Sequence, residues 1–302
     1  MLNRLLGATA IGALIATGAS VVSPQVAEAQ VADPDVACRI APGVLLDEDG
    51  NNALDEFGFA IPSSSLECGE NADASVSNGT AVGNNAIASA SESSALGQAA
   101  FAGGYRSVAI GDQAYVEEGA SNSMAIGQDA RVDSIADDLG TAEDESDPSE
   151  NAIAIGHMSR AKGSWAHAIG TNAQATGFTA VAVGGDAVAL GDFTTALGDS
   201  AEALAENSTA LGNNTTAEAL NATVVGADSS VGAGATNGTA VGTGASILEN
   251  ARQSLAIGTD ANVNLGTEDF VDTLGIDESV EIIGGTASGF QASTSGSYAS
   301  AL

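Results

Sequence analysis

Basic residues are scarce in this 302-residue chain. Seven Lys and Arg stand against 39 Asp and Glu, a formal charge of −32. Binding to a nucleic-acid backbone rests on Lys and Arg neutralising phosphates, so the balance argues against a nucleic-acid partner. It argues equally against docking on anionic lipid. Aromatics are 4%, with a single Trp, Trp165. A conventional core draws its buried area from large side chains, and this chain has few. Only five prolines occur, and no strict triplet, which excludes collagen. Beyond the N-terminus no stretch approaches the ~20 apolar residues that span a bilayer. What is abundant is small. Hydrophobic residues make up 44%, largely Ala, and 38 glycines are too many for a helical protein. A core of small residues demands a thin, regular fold, so a repeat is sought first.

The first residues read as an export signal. Arg4 precedes a run of apolar and small residues from Leu5 to Val22, and Ala27-Glu28-Ala29 gives a small-x-small cleavage pattern. Residues 1–29 are expected to be a signal peptide cut before Gln30. Losing Arg4 and Glu28 leaves the charge unchanged. Cys38 and Cys68 are the only cysteines, an even number in an exported chain, and are expected to form a disulfide. They fall in a non-repeat segment, 30–68, expected to cap the first coil of a repeat that begins at Gly69.

From Gly69 onward a fourteen-residue unit dominates. Glycine after a small-aliphatic pair recurs at Gly69, Gly83, Gly97 and Gly111 in steps of fourteen, then at Gly127 after sixteen. Gly156, Gly170, Gly184, Gly198, Gly212 and Gly226 again step by fourteen, and Gly242 and Gly258 each step by sixteen. A degraded unit leads to Gly275, and Gly289 follows at fourteen. Typical units are Ser107-Val108-Ala109-Ile110-Gly111 and Ser254-Leu255-Ala256-Ile257-Gly258. Three and five residues after each glycine come two further small or β-branched residues, such as Ala86 and Ala88 or Ala261 and Val263.

Period two within each half-unit predicts strand rather than helix. Each unit holds two short strands joined by tight turns of Gly and Asn, as in Gly83-Asn84-Asn85. Two strands in fourteen residues cannot fold alone, so successive units must stack as a parallel β-solenoid. The spacing of about 4.8 Å per coil predicts a rod on the order of 70 Å long. The strand before the glycine is uncharged on both faces, Ser, Ala and Gly on one and Val, Ile, Leu or Thr on the other. A strand apolar on both faces is expected to be buried on both. The other strand has a freely varying middle residue (Asp73, Arg131, Arg160, Gln174, Glu202, Asn262), so that face is expected to be wet. A lone roll cannot bury the first kind of strand twice. The small face is therefore expected to line the roll, and the aliphatic face to meet further copies of the chain. The candidates for that contact are Val108, Ile110, Ile126, Ile155, Ile169, Val183, Leu197, Leu211, Val225, Val241 and Ile257.

The Ser-x-Ala-Ile-Gly unit with its Ala-x-Ala partner at fourteen-residue spacing resembles the head of YadA-like trimeric autotransporter adhesins, over about Gly69 to Leu302. The resemblance implies a left-handed parallel β-roll assembled as a homotrimer and projecting from a Gram-negative surface. It also implies binding of host matrix, host cells or other bacteria, with no catalysis. The family's neck, heptad stalk and membrane barrel find no counterpart in the sequence. Ala292, Thr294, Gly296, Ala299 and Ala301 match one repeat, whose glycine falls due one step past Leu302, so the sequence is expected to be a fragment or a truncated frame. Localisation is the bacterial surface if an anchor follows, otherwise secretion.

The irregular stretches 133–150 and 265–284 are acidic and are expected to loop out of the roll as solvated insertions. No metal site is expected; Asp47, Asp49, Asn51 and Asp55 have the oxygen spacing of the first half of a calcium loop, without its glycine or its closing Glu, and are the weak calcium candidates. His157 is expected in a turn. His167 stands where other units place Val or Thr, as a polar layer or an ion site on a trimer axis. Ser164 beside Trp165 lacks the Asp and the elbow of a hydrolase. Asn78, Asn207 and Asn221 head glycosylation sequons that turn chemistry explains equally. Two other functions remain. Ice binding would use a flat Thr rank, and Thr195, Thr209, Thr223 and Thr239 share one register, but Val181, His167 and Leu255 break it. A calcium-dependent secreted solenoid is the other. No cofactor is expected, and the partners are the chain itself and a host or bacterial surface.

Overall fold

A computed structural model describes residues 38–44, 62–74, 76, 78–133, 149–264, 282–295 and 297–302. Their regular structure is strand and turn, with no helix among them. A three-residue strand such as Val108–Ile110 reaches a repeat glycine, turns, and continues as a two-residue strand such as Tyr115–Val116. A second turn returns the chain to the next three-residue strand, Met124–Ile126. Repetition builds two sheets, one of sixteen strands and one of thirteen. Pairing is parallel and in phase: Val181, Ala182 and Val183 lie beside Thr195, Ala196 and Leu197, the equivalent residues of the next coil. The protein is a parallel β-solenoid of about fourteen residues per turn, the all-β fold that the period predicts.

The interior is thin because its side chains are small. Ala109, Ala182 and Ala196 from the larger sheet face Ala102, Ala175 and Ala189 from the smaller, all fully buried. Val and one Ile supply the largest buried apolar side chains of this core. Buried hydroxyls line the corners. Thr194 and Ser229 donate to the carbonyls of Gly191 and Gly226, each at 2.6 Å, so the tight corner satisfies its own carbonyl oxygens.

The repeat glycine is demanded by the stacking itself. Gly97 has φ 139°, and a Cβ there would overlap the carbonyl of Gly111 in the next coil. Only glycine meets both conditions. Each regular coil also has two left-handed corners filled by other residues, one two residues past the glycine and one nine past it, as at Asn172 (φ 58°) and Thr179 (φ 52°). Fifteen of the twenty-seven such non-glycine residues are Asn or Asp, for which this conformation costs least. Asn78, Asn207 and Asn221 are among them, so the sequon asparagines sit at turns.

Insertions leave the stacking intact. Arg131 pairs with Arg160 across the acidic stretch, and Leu255 pairs with Thr286 across the second. The first insertion is tied at its base. The Ser149 hydroxyl lies against the carbonyls of Asp133 (2.6 Å) and Lys162, and the Ser123 hydroxyl donates to the Ser149 carbonyl at 2.7 Å. Residues 134–148 and 265–281, Gly275 included, lie outside the described residues, as do Asp47, Asp49, Asn51 and Asp55.

At the N-terminal end, β1 (Cys38–Val44) runs antiparallel to β2 (Pro62–Cys68), and β2 runs parallel to β3 (Thr80–Val82). Cys38 and Cys68 face each other in this pairing and are joined as a disulfide. The Ala74 amide belongs to the first rung of the smaller sheet. In the next coil the equivalent amide, on Ala88, finds the Asp73 carbonyl of the coil before it. The Glu67 carboxylate, only 4% exposed, accepts the Ala74 amide at 3.1 Å instead. One buried side chain thus stands in for a missing rung.

Candidate attachment surface

Three outward ranks run along the rod, two on the larger sheet and one on the smaller. On the larger sheet the residues flanking each buried Ala point away from the interior. Ile110, Ile126, Ile155, Ile169, Val183, Leu197, Leu211, Val225, Val241 and Ile257 form one continuous rank in register, and Val108 belongs to the parallel rank two residues earlier. Ile110 and Ile169 are each 38% exposed, Leu197 48% and Ile257 41%, and the others are half-buried. A single chain therefore buries one face of this sheet and leaves an aliphatic stripe open on the other. A run of contiguous exposed aliphatics marks a site of association. His167 lies in the parallel rank between Ile153 and Val181, half-buried. Thr195, Thr209, Thr223 and Thr239 follow in the same rank, bounded by Val181 and Leu255.

The outward rank of the smaller sheet mixes polar residues with Ile87, Phe101, Tyr115 and Val188. Asp73 at its start is exposed, but its middle is not as wet as the freely varying position predicts. Arg131, Arg160, Gln174, Glu202 and Asn262 are half-buried, because each is flanked at one rung's distance by the equivalent residues of its neighbours. From Phe101 the rank reads Phe101, Tyr115, Arg131, Arg160, Gln174. The Phe101 and Tyr115 rings stack at 5.1 Å between centroids, and the Arg131 guanidinium lies 5.7 Å from the Tyr115 centroid. Arg160 reaches Asp133 at 3.3 Å. An open groove of about 540 Å³ runs beside the rank, lined by Asp129, Arg131, Met158, Arg160, Asn172 and Gln174.

Electrostatics follow the packing. Burial raises the Asp133 carboxyl above the usual carboxylate range, and Arg160, Arg131 and Lys162 pull against that rise. Burial, then Glu117, Asp133 and Glu118, pushes the Tyr115 phenol up. Away from the groove, the hydrogen bond from Arg106 to Glu92 (2.7 Å) holds the Glu92 carboxyl down.

No cluster of three or more metal-ligating side chains occurs among the described residues. His157 is exposed in a turn. Trp165 occupies a left-handed corner at 53% exposure, beside Ser164. The sequence names the aliphatics of the larger sheet's open rank from Ile110 to Ile257, but it leaves out Val82 and Leu96, which extend that rank toward the N-terminus, and it misses the groove. Arg131 and Arg160 read there only as instances of a freely varying position. The signal was available: aligned by the repeat glycine, both stand four residues after it, with the acidic insertion between them.

The stacked coils thus carry an open aliphatic stripe and one mixed polar groove. The YadA head domain repeat matches residues 77–100, 88–114, 102–130, 149–173, 175–201 and 203–229. Residues 77–229 are a YadA-like head domain, and such repeats place the chain in the orbit of trimeric autotransporter adhesins, a family of exported, surface-exposed adhesins rather than of enzymes. The same coil stacking continues past the matched residues to the strand Ser300–Ala301. No curated protein matches the chain.

Proposed function

We propose that this chain is the non-enzymatic head of a bacterial surface adhesin, exported by its N-terminal signal and active as a homotrimer of left-handed rolls. The observation that carries the proposal is the unbroken register of half-exposed Val, Ile and Leu from Ile110 to Ile257 within YadA-type repeats. A stripe of that length is covered most simply by the same stripe on sister chains. Closed symmetry lets identical surfaces shelter one another without leaving a free end. The outer faces then appear in three copies, and weak single contacts with host matrix, host cells or another bacterium combine into firm attachment. The ice-binding reading is not favoured beside the family match, since the Thr residues lie in the aliphatic face assigned to burial.

Light scattering of the mature chain tests the assembly, with a mass of three chains expected. Beads coated with the chain test attachment, on collagen-coated, fibronectin-coated and epithelial-cell surfaces. Adherence above that of albumin-coated beads supports the reading. A monomeric mass together with baseline adherence overturns it.

A further inference from the structure

We propose that the groove beside Arg131 and Arg160 is a binding site for an acidic sugar, a saccharide terminus carrying one carboxylate or one sulfate. The proposal deepens the attachment reading and rests on it for its biological sense, although binding is measurable in solution without attachment.

Charge distribution carries the first part of the argument. The chain has seven Lys and Arg in all. Three of them, Arg131, Arg160 and Lys162, stand on two neighbouring coils of one face. Arg131 and Arg160 are paired rung to rung, a placement in which like charges repel. Asp133 relieves Arg160, while Arg131 forms no ion pair among the described residues. The arrangement gains from an added anion, and guanidinium groups on adjacent rungs can each donate N–H bonds to a carboxylate or sulfate.

The remaining lining decides between ligand classes. Gln174 presents an amide, Asn172 an amide oxygen whose nitrogen already donates to Asp186 at 2.6 Å, and Asp129 an acceptor. Met158 contributes an apolar surface, 52% exposed. Donors, acceptors and one apolar patch around an anion subsite suit a ring bearing hydroxyl groups. An acidic peptide would find no strand edge for backbone pairing, since both edges of each rung here are taken by neighbouring coils. Length is limited too. Outside these coils the surface is acidic, and the charge of −32 repels a long polyanion. A short acidic terminus places its charge on the two arginines and little beyond them.

The test uses the full mature chain at physiological salt. Titration calorimetry and saturation-transfer NMR are run with 3′-sialyllactose, 3′-sulfolactose, lactose and heparin. Binding of either acidic trisaccharide or disaccharide, at least about tenfold tighter than lactose, is expected. The two acidic probes separate carboxylate from sulfate. Arg131→Gln with Arg160→Gln should weaken that binding about tenfold or more, and Gln174→Ala should weaken it less. Arg106→Gln removes one positive charge away from the groove and should change nothing. If the double variant loses its strand signal in circular dichroism, Arg131→Lys takes its place and should still weaken binding, because the bidentate fork is lost. The proposal is overturned by no binding of either acidic probe, by equal binding of lactose, by an equal loss in Arg106→Gln, or by binding of heparin alone. Any of these outcomes with adherent beads leaves the adhesin reading standing, and sugar binding without bead adherence does the reverse.

Discussion

Ala99 occupies a left-handed corner (φ 52°) where neighbouring coils place Asn85 and Gln113. A Cβ in this conformation costs about 1–2 kcal/mol, and Asn tolerates it best among residues with a side chain. Elsewhere the same corner carries rung-to-rung side-chain hydrogen bonds: the Asn71 amide donates to the Asn85 amide oxygen at 3.1 Å, and the Asn214 amide donates to the Asp228 carboxylate at 2.9 Å. Ala99→Asn should therefore relieve strain and extend the Asn71–Asn85 ladder by one coil. A gain of about 1 kcal/mol is expected, read as a higher urea midpoint at unchanged slope. An unchanged or lower midpoint contradicts the account. Asp133 gives a prediction of opposite character. Burial raises its carboxyl in the folded chain, so at pH values between the ordinary carboxylate value and the raised one the folded state holds more of the proton than the unfolded state does. Its contribution to stability is greatest below the ordinary carboxylate value and declines as pH rises through the raised folded value. Asp133→Asn lacks that decline. Between acid and neutral pH the variant should gain stability relative to the parent, measured as the difference between their urea midpoints. A difference that moves the other way would mean that the Arg160 contact outweighs burial.

Coil length and core size are coupled, and the coupling explains which parts of the fold the sequence made legible. Fourteen-residue coils place Ala at the inward position of the smaller sheet, as at Ala161, Ala175, Ala189, Ala203 and Ala217. Coils lengthened to sixteen or interrupted by an insertion place Val116, Val132, Val231, Ile247 or Val263 there, all buried. Extra residues carry the corner outward, and a larger side chain fills the space. Beside it Gly238 has no room for a Cβ, which would meet Val231 Cγ1 at 2.9 Å and Ile247 Cδ1 at 3.4 Å. Val231→Ala should cost about 2 kcal/mol through a cavity, and Ala189→Val about 1–3 kcal/mol through overpacking. Deleting Gly234 and Ala235 together with Val231→Ala recreates the pattern of Ala217 to Thr223. That variant should melt closer to the parent than either change alone, and simple addition of the two losses would refute the coupling. The coil phase was readable because each described repeat glycine from Gly69 to Gly258 lies against the carbonyl of the next, which leaves no freedom to drift. The Val-for-Ala exchange was equally present in the sequence. It passed unseen because Val263 and Ala261 both count as small inward residues until the corner width is known. The left-handed corners were only half visible, since Trp165 and Phe193 share them with Asn. The groove was hidden by distance along the chain, because Arg131 and Arg160 become neighbours only when the insertion is set aside.

For the whole molecule, one charge pattern opposes the assembly that the aliphatic stripe favours. Each chain carries −32, and among the described residues the acidic side chains other than Glu67 lie outside the buried interior of Ala, Val and hydroxyl groups. Bringing copies together along their length multiplies that repulsion, while burial of Ile110, Leu197, Ile257 and their neighbours supplies an attraction that salt leaves largely intact. At an ionic strength of about 0.15 M the Debye length is about 8 Å, shorter than the width of such an assembly, so most of the repulsion between exposed carboxylates is screened. At about 0.01 M it extends to about 30 Å and acts across the whole rod. Self-association should therefore tighten as salt is added, opposite to the behaviour of an interface held by ion pairs. Sedimentation velocity over that salt range, at fixed protein concentration, reads the result directly. The parent chain should shift toward the larger species as salt rises. Leu197→Asp with Leu211→Asp, which places two charges in the stripe, should remain small throughout while keeping its strand signal. Association that weakens with salt would assign the contact to charged faces and leave the stripe without a partner.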